Sequence, residues 1–168
     1  MDTTNTIIGA IIVLIIVLPI VAIQRSQTSK KKKSRKAFID EALKNNLTVN
    51  EPDFWGSYYA IALDTNKNKL IYSKIIDEAY NTKIIDLNQV SSCAIVRTNR
   101  TFKTKGTFKT ETDKIDLVIE YVNANKLNKE ALEFYNVDVN ITMSDEVSLL
   151  EKWETKIKNN ILKKEQAA

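Results

Sequence analysis

From Ile7 to Ile23 the chain reads Ile-Ile-Gly-Ala-Ile-Ile-Val-Leu-Ile-Ile-Val-Leu-Pro-Ile-Val-Ala-Ile, without one charged or strongly polar side chain. A helix needs roughly 20 mostly apolar residues to cross the hydrocarbon core of a bilayer, and Thr3 to Thr6 with Gln24 extend this run to the headgroups. The sequence therefore predicts a transmembrane anchor over residues 1–24. A secretory signal would add a positive n-region and a small-residue cleavage site, and a core helix would show a polar face; the run has neither pattern. Pro19 is compatible with a spanning helix.

Lysine and arginine near the end of a span stay on the cytoplasmic side. Arg25, Lys30, Lys31, Lys32, Lys33, Arg35 and Lys36 follow the run and no basic residue precedes it. The expected product is a single-pass protein of the cell membrane, its N-terminus outside and its C-terminal domain cytoplasmic. Asn-x-Ser/Thr matches begin at Asn46, Asn99 and Asn140, but such acceptors matter only in a secreted or lumenal chain.

Residues 25–36 mix Ser, Thr and Gln with the basic cluster and read as a solvated juxtamembrane linker. The cluster serves either as a topology determinant or as an attraction for anionic headgroups, at about 1 kcal/mol per basic residue near the surface. Beyond it, residues 37–168 are enough for one domain with a real core. With the seven juxtamembrane cations and Asp2 set aside, 18 basic residues stand against 20 acidic ones. A nucleic-acid binder carries its basic footprint on the domain itself, so no nucleic acid is expected. One cysteine and no histidine exclude an intrachain disulfide and remove the commonest metal ligand and general base. No cofactor and no metal are expected.

Helical spacing of Phe38, Ile39, Ala42 and Leu43 predicts a short leading helix over 37–46, ended by Asn45-Asn46 and Pro52. Strands are expected between residues 55 and 143. Trp55 to Leu63 and Leu70 to Ile75 flank a polar turn and form a hairpin. The turn matches the opening of a calcium loop at Asp64, Asn66 and Asn68. It has Lys69 where that loop needs glycine and Ile75 where it needs a bidentate glutamate, so a plain hairpin is expected. Thr82 to Leu87 and Ser91 to Arg97 read as further strands, with Cys93 an inert buried thiol.

Thr101-Phe102-Lys103-Thr104 recurs as Thr107-Phe108-Lys109-Thr110 around Lys105-Gly106. This predicts a tight hairpin with like residues facing each other. Arg97, Arg100, Lys103, Lys105 and Lys109 make it basic. Lysines on solvated edges suppress sheet-to-sheet aggregation; the other reading is a finger that touches anionic lipid or an acidic partner. Lys114 to Val122 is a strand by its branched residues, whereas residues 129–135 fit a helical turn or the last strand, with 137–143 as the alternative. A closing helix over 144–163 is expected from the Ser144 cap, from Asp145 and Glu146 at its positive end, from Lys163-Lys164 at its negative end, and from the stripe Val147, Leu150, Trp153, Ile157, Ile161.

Several phrases together resemble bacterial pleckstrin-homology-like (PH-like) domain proteins with a membrane anchor. They are Ile61-Ala62-Leu63-Asp64-x-Asn66-x-x-Lys69-Leu70-Ile71, the junction Ile84-Ile85-Asp86-Leu87-Asn88-Gln89-Val90-Ser91-Ser92-Cys93, and Glu151-Lys152-Trp153 in the closing helix. The likeness covers about Trp55 to Leu162. It implies an α+β fold, a partly open β-barrel or sandwich of six to seven antiparallel strands capped by a C-terminal helix, used as an interaction platform without catalytic residues. Eukaryotic members that bind phosphoinositides place basic residues, arginine included, across the first hairpin; here that loop offers Lys67 and Lys69.

The function expected is a membrane-anchored binding or scaffold module, not an enzyme, whose partner is another membrane or cytoplasmic protein, with a peptide added to an exposed strand edge as one mode. The alternative is a membrane-surface module whose candidate contacts to anionic lipid are Lys30 to Lys33, Arg35, Lys36, Arg97, Arg100, Lys103, Lys105 and Lys109. Scattered carboxylates such as Asp64, Asp86, Asp113 and Asp116 are the material an acid–base enzyme would use.

Overall fold

The computed structural model describes residues 3–56, 59–76, 79–124, 126–139 and 143–167. The chain divides into two compact units, Met1–Glu41 and Ala42–Ala168.

Helix α1 runs unbroken over Thr3–Lys44 with Pro19 inside it. The linker expected over 25–36 and the separate helix expected over 37–46 are both stretches of this one helix. Residues 24–36 contain neither Gly nor Pro, and lysine, arginine and glutamine are good helix formers, so nothing local stops propagation. Among the described residues no helix is long and apolar enough to cross a membrane. That finding overturns the transmembrane anchor, the single-pass topology and the cell-membrane localisation expected from the apolar run. The expectation drew on the whole run, and the side chains of residues 7–12 and 14 lie outside the described residues. The described side chains begin at Val13 and give way to Arg25 and Lys30 within the same helix.

The end of α1 is built by its sequence. Asn46 takes a left-handed φ of 57°. Its N–H donates to the Leu43 carbonyl at 2.9 Å, and the Leu47 N–H donates to the Ala42 carbonyl at 2.8 Å. This is a Schellman termination, with asparagine where glycine is usual and the apolar pair Ala42 and Leu47 buried beside it.

Among the described residues seven strands follow in the second unit. β1 (Asn50–Trp55), β2 (Tyr59–Asp64), β3 (Lys69–Ile76) and β4 (Ala79–Asp86) form one antiparallel sheet in sequence order. A short 3-10 helix, Leu87–Gln89, leads into β5 (Val90–Thr104), β6 (Thr107–Asn123) and β7 (Lys126–Asn136), which form a second sheet in the same way. Helix α2 (Glu146–Ala167) closes the chain. The architecture is α+β, but of the partly open barrel or sandwich that was expected the barrel is overturned, because the strands make two sheets.

The stretch expected as one strand from Trp55 to Leu63 is two strands, divided at Gly56, where φ is 52°. β1 itself carries few strand signals because it is an edge: Pro52 is tolerated there, and a bulge at Glu51, with φ 49°, interrupts its pairing with β2. The uncertain segment before the closing helix resolves as β7.

The core lies between the sheets and under α2. Trp55, Tyr59, Ile61, Leu63, Leu70 and Tyr72 come from the first sheet. Cys93, Ile115, Leu117, Ile119, Leu132 and Phe134 come from the second, and Leu150, Trp153 and Ile157 from α2. Ile115, Leu117 and Ile119 repeat every second residue because strand side chains alternate between faces. The α2 residues repeat at three and four, as one stripe of a helix does. Trp153 is fully buried, and its indole N–H donates to Asp53 Oδ2 at 2.9 Å. Asp145 supplies the carbonyl that accepts the first helical N–H, from Leu149. Ser144, expected as the cap, instead donates its own N–H to Glu146 Oε2 at 2.6 Å. The side chains of Lys163 and Lys164 lie outside the described residues.

Candidate functional site

The expected basic finger is the outer half of β5 and β6. β6 pairs with β7 only from Lys114↔Asn136 to Asn123↔Lys126, yet it pairs with β5 as far as Thr104↔Thr107. Residues 98–113 therefore project past the third strand as a two-stranded arm, about 20 Å long at roughly 3.3 Å per residue. From Val96 to Glu111 every residue is exposed except Phe102, which is half-buried.

The turn is formed by Lys105 and Gly106, with φ 47° and 84°. Positive φ at both central positions is the primed turn whose twist suits a hairpin. A Cβ at Gly106 would meet no atom within 4 Å, so glycine is needed there for its conformation and not for space.

The faces of the arm differ from the expectation of like opposite like. An antiparallel partner runs backwards, so a direct repeat meets its own reversal. Thr104 faces Thr107 and Thr101 faces Thr110, but Phe102 faces Lys109 and Lys103 faces Phe108. Opposed residues share a face, so each face of the arm holds one phenylalanine and one lysine. Lys103 Nζ sits 5.8 Å from the centroid of the Phe108 ring, and the hydroxyls of Thr101 and Thr110 are 3.1 Å apart. Phe108 is 72% exposed. Arg100 Nε pairs with Asp113 Oδ1 at 3.1 Å. Among the described residues Arg97, Lys105 and Lys109 have no carboxylate partner.

A second polar feature lies where the sheets meet. A cleft of about 180 Å³ is lined by Tyr72, Lys74, Asn81, Lys83, Lys114, Ala131 and Glu133. Its hub is Glu133, which accepts from the Tyr59 hydroxyl at 2.6 Å, from Lys74 Nζ, and from Asn136 Nδ2 at 3.2 Å. Asp116 and Glu133 stand directly opposite each other on β6 and β7, an unfavourable like-charge pair. Lys114 Nζ relieves it from 2.9 Å to Asp116 and 3.6 Å to Glu133. Asp116 Oδ1 accepts no well-directed hydrogen bond, so that close contact is ionic. Lys83 pairs with Glu130 and also donates to the Ala131 carbonyl at 3.1 Å.

The same seam holds the sheets together. A bulge makes Phe134 an extra residue in β7. Its carbonyl accepts from the Trp55 indole N–H at 2.8 Å, and the Glu133 carbonyl accepts from the Tyr72 hydroxyl at 2.7 Å. The Trp55 ring stacks on Phe134 at 4.4 Å and on Tyr59 at 5.3 Å. Side chains of the first sheet thus bond directly to backbone carbonyls of β7 across the seam.

Proton affinities in the seam run away from neutrality. Burial pushes Tyr59 and Tyr72 up, and the Glu133 charge adds to that rise. Burial by itself would raise Glu133, but Lys74, Tyr59 and Asn136 outweigh it and hold the carboxyl below its ordinary range. Burial would lower Lys114, and Asp116 with Glu133 more than offset it, keeping the amine above its usual value. A general acid or base needs the opposite, a value moved towards the working pH.

The remaining expected residues are spread along the chain. Lys30 to Lys33, Arg35 and Lys36 are exposed on α1. Asp64 caps its own turn, with Oδ1 accepting from the N–H groups of Asn66 at 3.0 Å and Lys67 at 2.9 Å, and Oδ2 from Thr48 N–H at 2.8 Å. The Lys67 bond, with that from Thr48, holds its carboxyl below the usual value. Asp86 caps the 3-10 helix through Asn88 N–H. Asp113 and Asp116 are in the ion pairs above. Cys93 is buried, and burial pushes its thiol up to about 12. Among the described residues no group of three or more Cys, Asp or Glu is arranged to hold a metal ion.

Comparison with protein-family models, with curated proteins and with solved structures finds no match to this chain.

Proposed function

We propose that this chain is a non-catalytic binding module that holds a negatively charged partner surface with its β5–β6 arm. One observation carries the reading. A two-stranded arm with no place in the core brings Arg97, Arg100, Lys103, Lys105, Lys109 and the exposed Phe108 into the open. The arm stands outside the core and sets an exposed phenyl ring among cations, of which Arg97, Lys105 and Lys109 have no carboxylate partner among the described residues, and such a surface complements a negatively charged one. The direction of the shifts at Tyr59, Tyr72, Lys114 and Glu133 supports a role without acid–base chemistry.

The test is a titration of the full chain with poly-glutamate. Replacing Lys103, Lys105 and Lys109 together by Gln should weaken binding by at least tenfold, and raised salt should do the same to the parent. Equal binding by parent and variant rejects the arm as the contact element.

A further inference from the structure

The arm carries its two phenyl rings and its cations on both faces, which points to the kind of surface it fits. We infer that the arm enters an anionic lipid surface end-on, with the turn 104–107 leading and Phe102 and Phe108 reaching the boundary between headgroups and acyl chains. This rests on the reading that the arm is the contact element.

The argument begins with sidedness. A ribbon that lies along a protein surface uses one face and leaves the other in water, so its apolar residues gather on one side. Here the opposed pairs are Lys103 with Phe108 on one face and Phe102 with Lys109 on the other. Each face thus holds one phenyl ring and one lysine near the tip, with Phe108 the more exposed ring and Arg100 opposite Glu111 further back on the Phe102 face. A side-on dock would strand one ring and one lysine whichever face it used. A medium that surrounds the tip on all sides uses them all.

Depth agrees. Phe108 lies two residues from Gly106, and Phe102 three from Lys105, so both rings sit roughly 7–10 Å behind the tip at strand rise. Interfacial elements bury apolar groups about 5–10 Å into the headgroup and acyl boundary. Deeper entry is barred because both edges of the arm carry unpaired backbone groups, which do not tolerate hydrocarbon. Lys103 and Lys109 have long apolar stems that let their amines reach back to the headgroups from beside the rings, and Lys103 already lies over Phe108. Arg97 and Arg100 stand further back, where the surface potential still acts within a Debye length.

The reporter and the substitutions both sit on the arm, so a signal lost with the arm variants reports the arm's own contact and not that of the basic cluster on α1. Cys93 is buried, so Thr107→Cys in the full chain can be labelled selectively with an environment-sensitive fluorophore. The probes are vesicles of pure phosphatidylcholine, vesicles with one third phosphatidylserine, and poly-glutamate in solution. The expected result is a blue shift with the serine-containing vesicles and none with pure phosphatidylcholine, reversed by salt and quenched by shallow but not deep brominated lipid; poly-glutamate, which offers charge but no apolar phase, should compete with the vesicles without shifting the label. Each of Lys103, Lys105 and Lys109 changed to Gln should weaken it about fivefold, and Phe108→Ser should abolish the quenching while leaving much of the electrostatic attraction. A label that responds to poly-glutamate but to neither vesicle overturns the lipid assignment and leaves the arm as a contact for an acidic macromolecule. A label indifferent to all three probes overturns both readings.

Discussion

β5 and β6 hold two kinds of strand within one pairing. In the inner half Cys93, Ile115, Leu117 and Ile119 alternate into a packed core, and β7 covers the far edge of β6. In the outer half the same ladder continues with every residue from Val96 to Glu111 in solvent but Phe102. The inner half is a strand because burial selects its register, since a slip of one residue would turn the apolar set outwards. The outer half has no such penalty and depends on its turn and cross-strand contacts, of a kind that leaves isolated two-stranded hairpins marginal. One half holds the domain together; the other stands outside its core.

That contrast can be broken most severely from the core side. Trp153→Ala should cost about 3–5 kcal/mol by denaturant titration, since a fully buried ring is removed and Asp53 loses a donor; the amides of the arm should hardly notice until the domain unfolds. Glu133→Gln comes next, at about 2 kcal/mol, because Lys74 and Lys114 keep only part of their compensation and the site is partly open to water. The sign with pH follows from the lowered carboxyl. Glu133 contributes fully above the ordinary glutamate range and loses that contribution as pH falls through its depressed folded value. The acid limb of a stability profile should therefore flatten in the variant.

Effects on the arm are smaller and local. Gly106→Ala forces a Cβ into a φ of 84° with free space around it, so about 1 kcal/mol of conformational strain is expected. Faster hydrogen exchange confined to the arm should report it, with the midpoint of global unfolding unchanged. Phe108→Ala should change stability by no more than about 0.5 kcal/mol, as an exposed site does. A larger loss would mean that this ring is structural and would weaken the division between the halves.

Local signals were the legible ones. The α2 stripe is readable because Leu150, Trp153 and Ile157 follow helical spacing, and the arm's turn because Lys105-Gly106 sits between two alternating segments. The pairing of unlike residues in the arm was also available, had the repeat been reversed as antiparallel geometry requires. β1 was hidden because Pro52 and its polar neighbours suit an edge and not a generic strand. The Glu133 hub was hidden for another reason: Tyr59, Lys74 and Lys114 reach it from distant parts of the chain, and no spacing rule joins them. The apolar run misled in its own way, since hydropathy reports a preference for lipid but not where a helix stops. α1 continues through the basic cluster to Lys44.

The bonds that Trp55, Tyr72 and Lys83 make to the carbonyls of β7 also bear on how the protein behaves in a crowded solution. They act as stoppers on an edge that would otherwise be a template for a foreign strand. The arm has open backbone of its own on both edges beyond β7, and there Lys103, Lys105 and Lys109 keep copies apart by repulsion. Such a guard is electrostatic and weakens as ions screen it. Shelf life in concentrated stocks should thus be longest in dilute buffer, with fibrous or gel-like material at high salt growing from the arm before the body of the domain has opened.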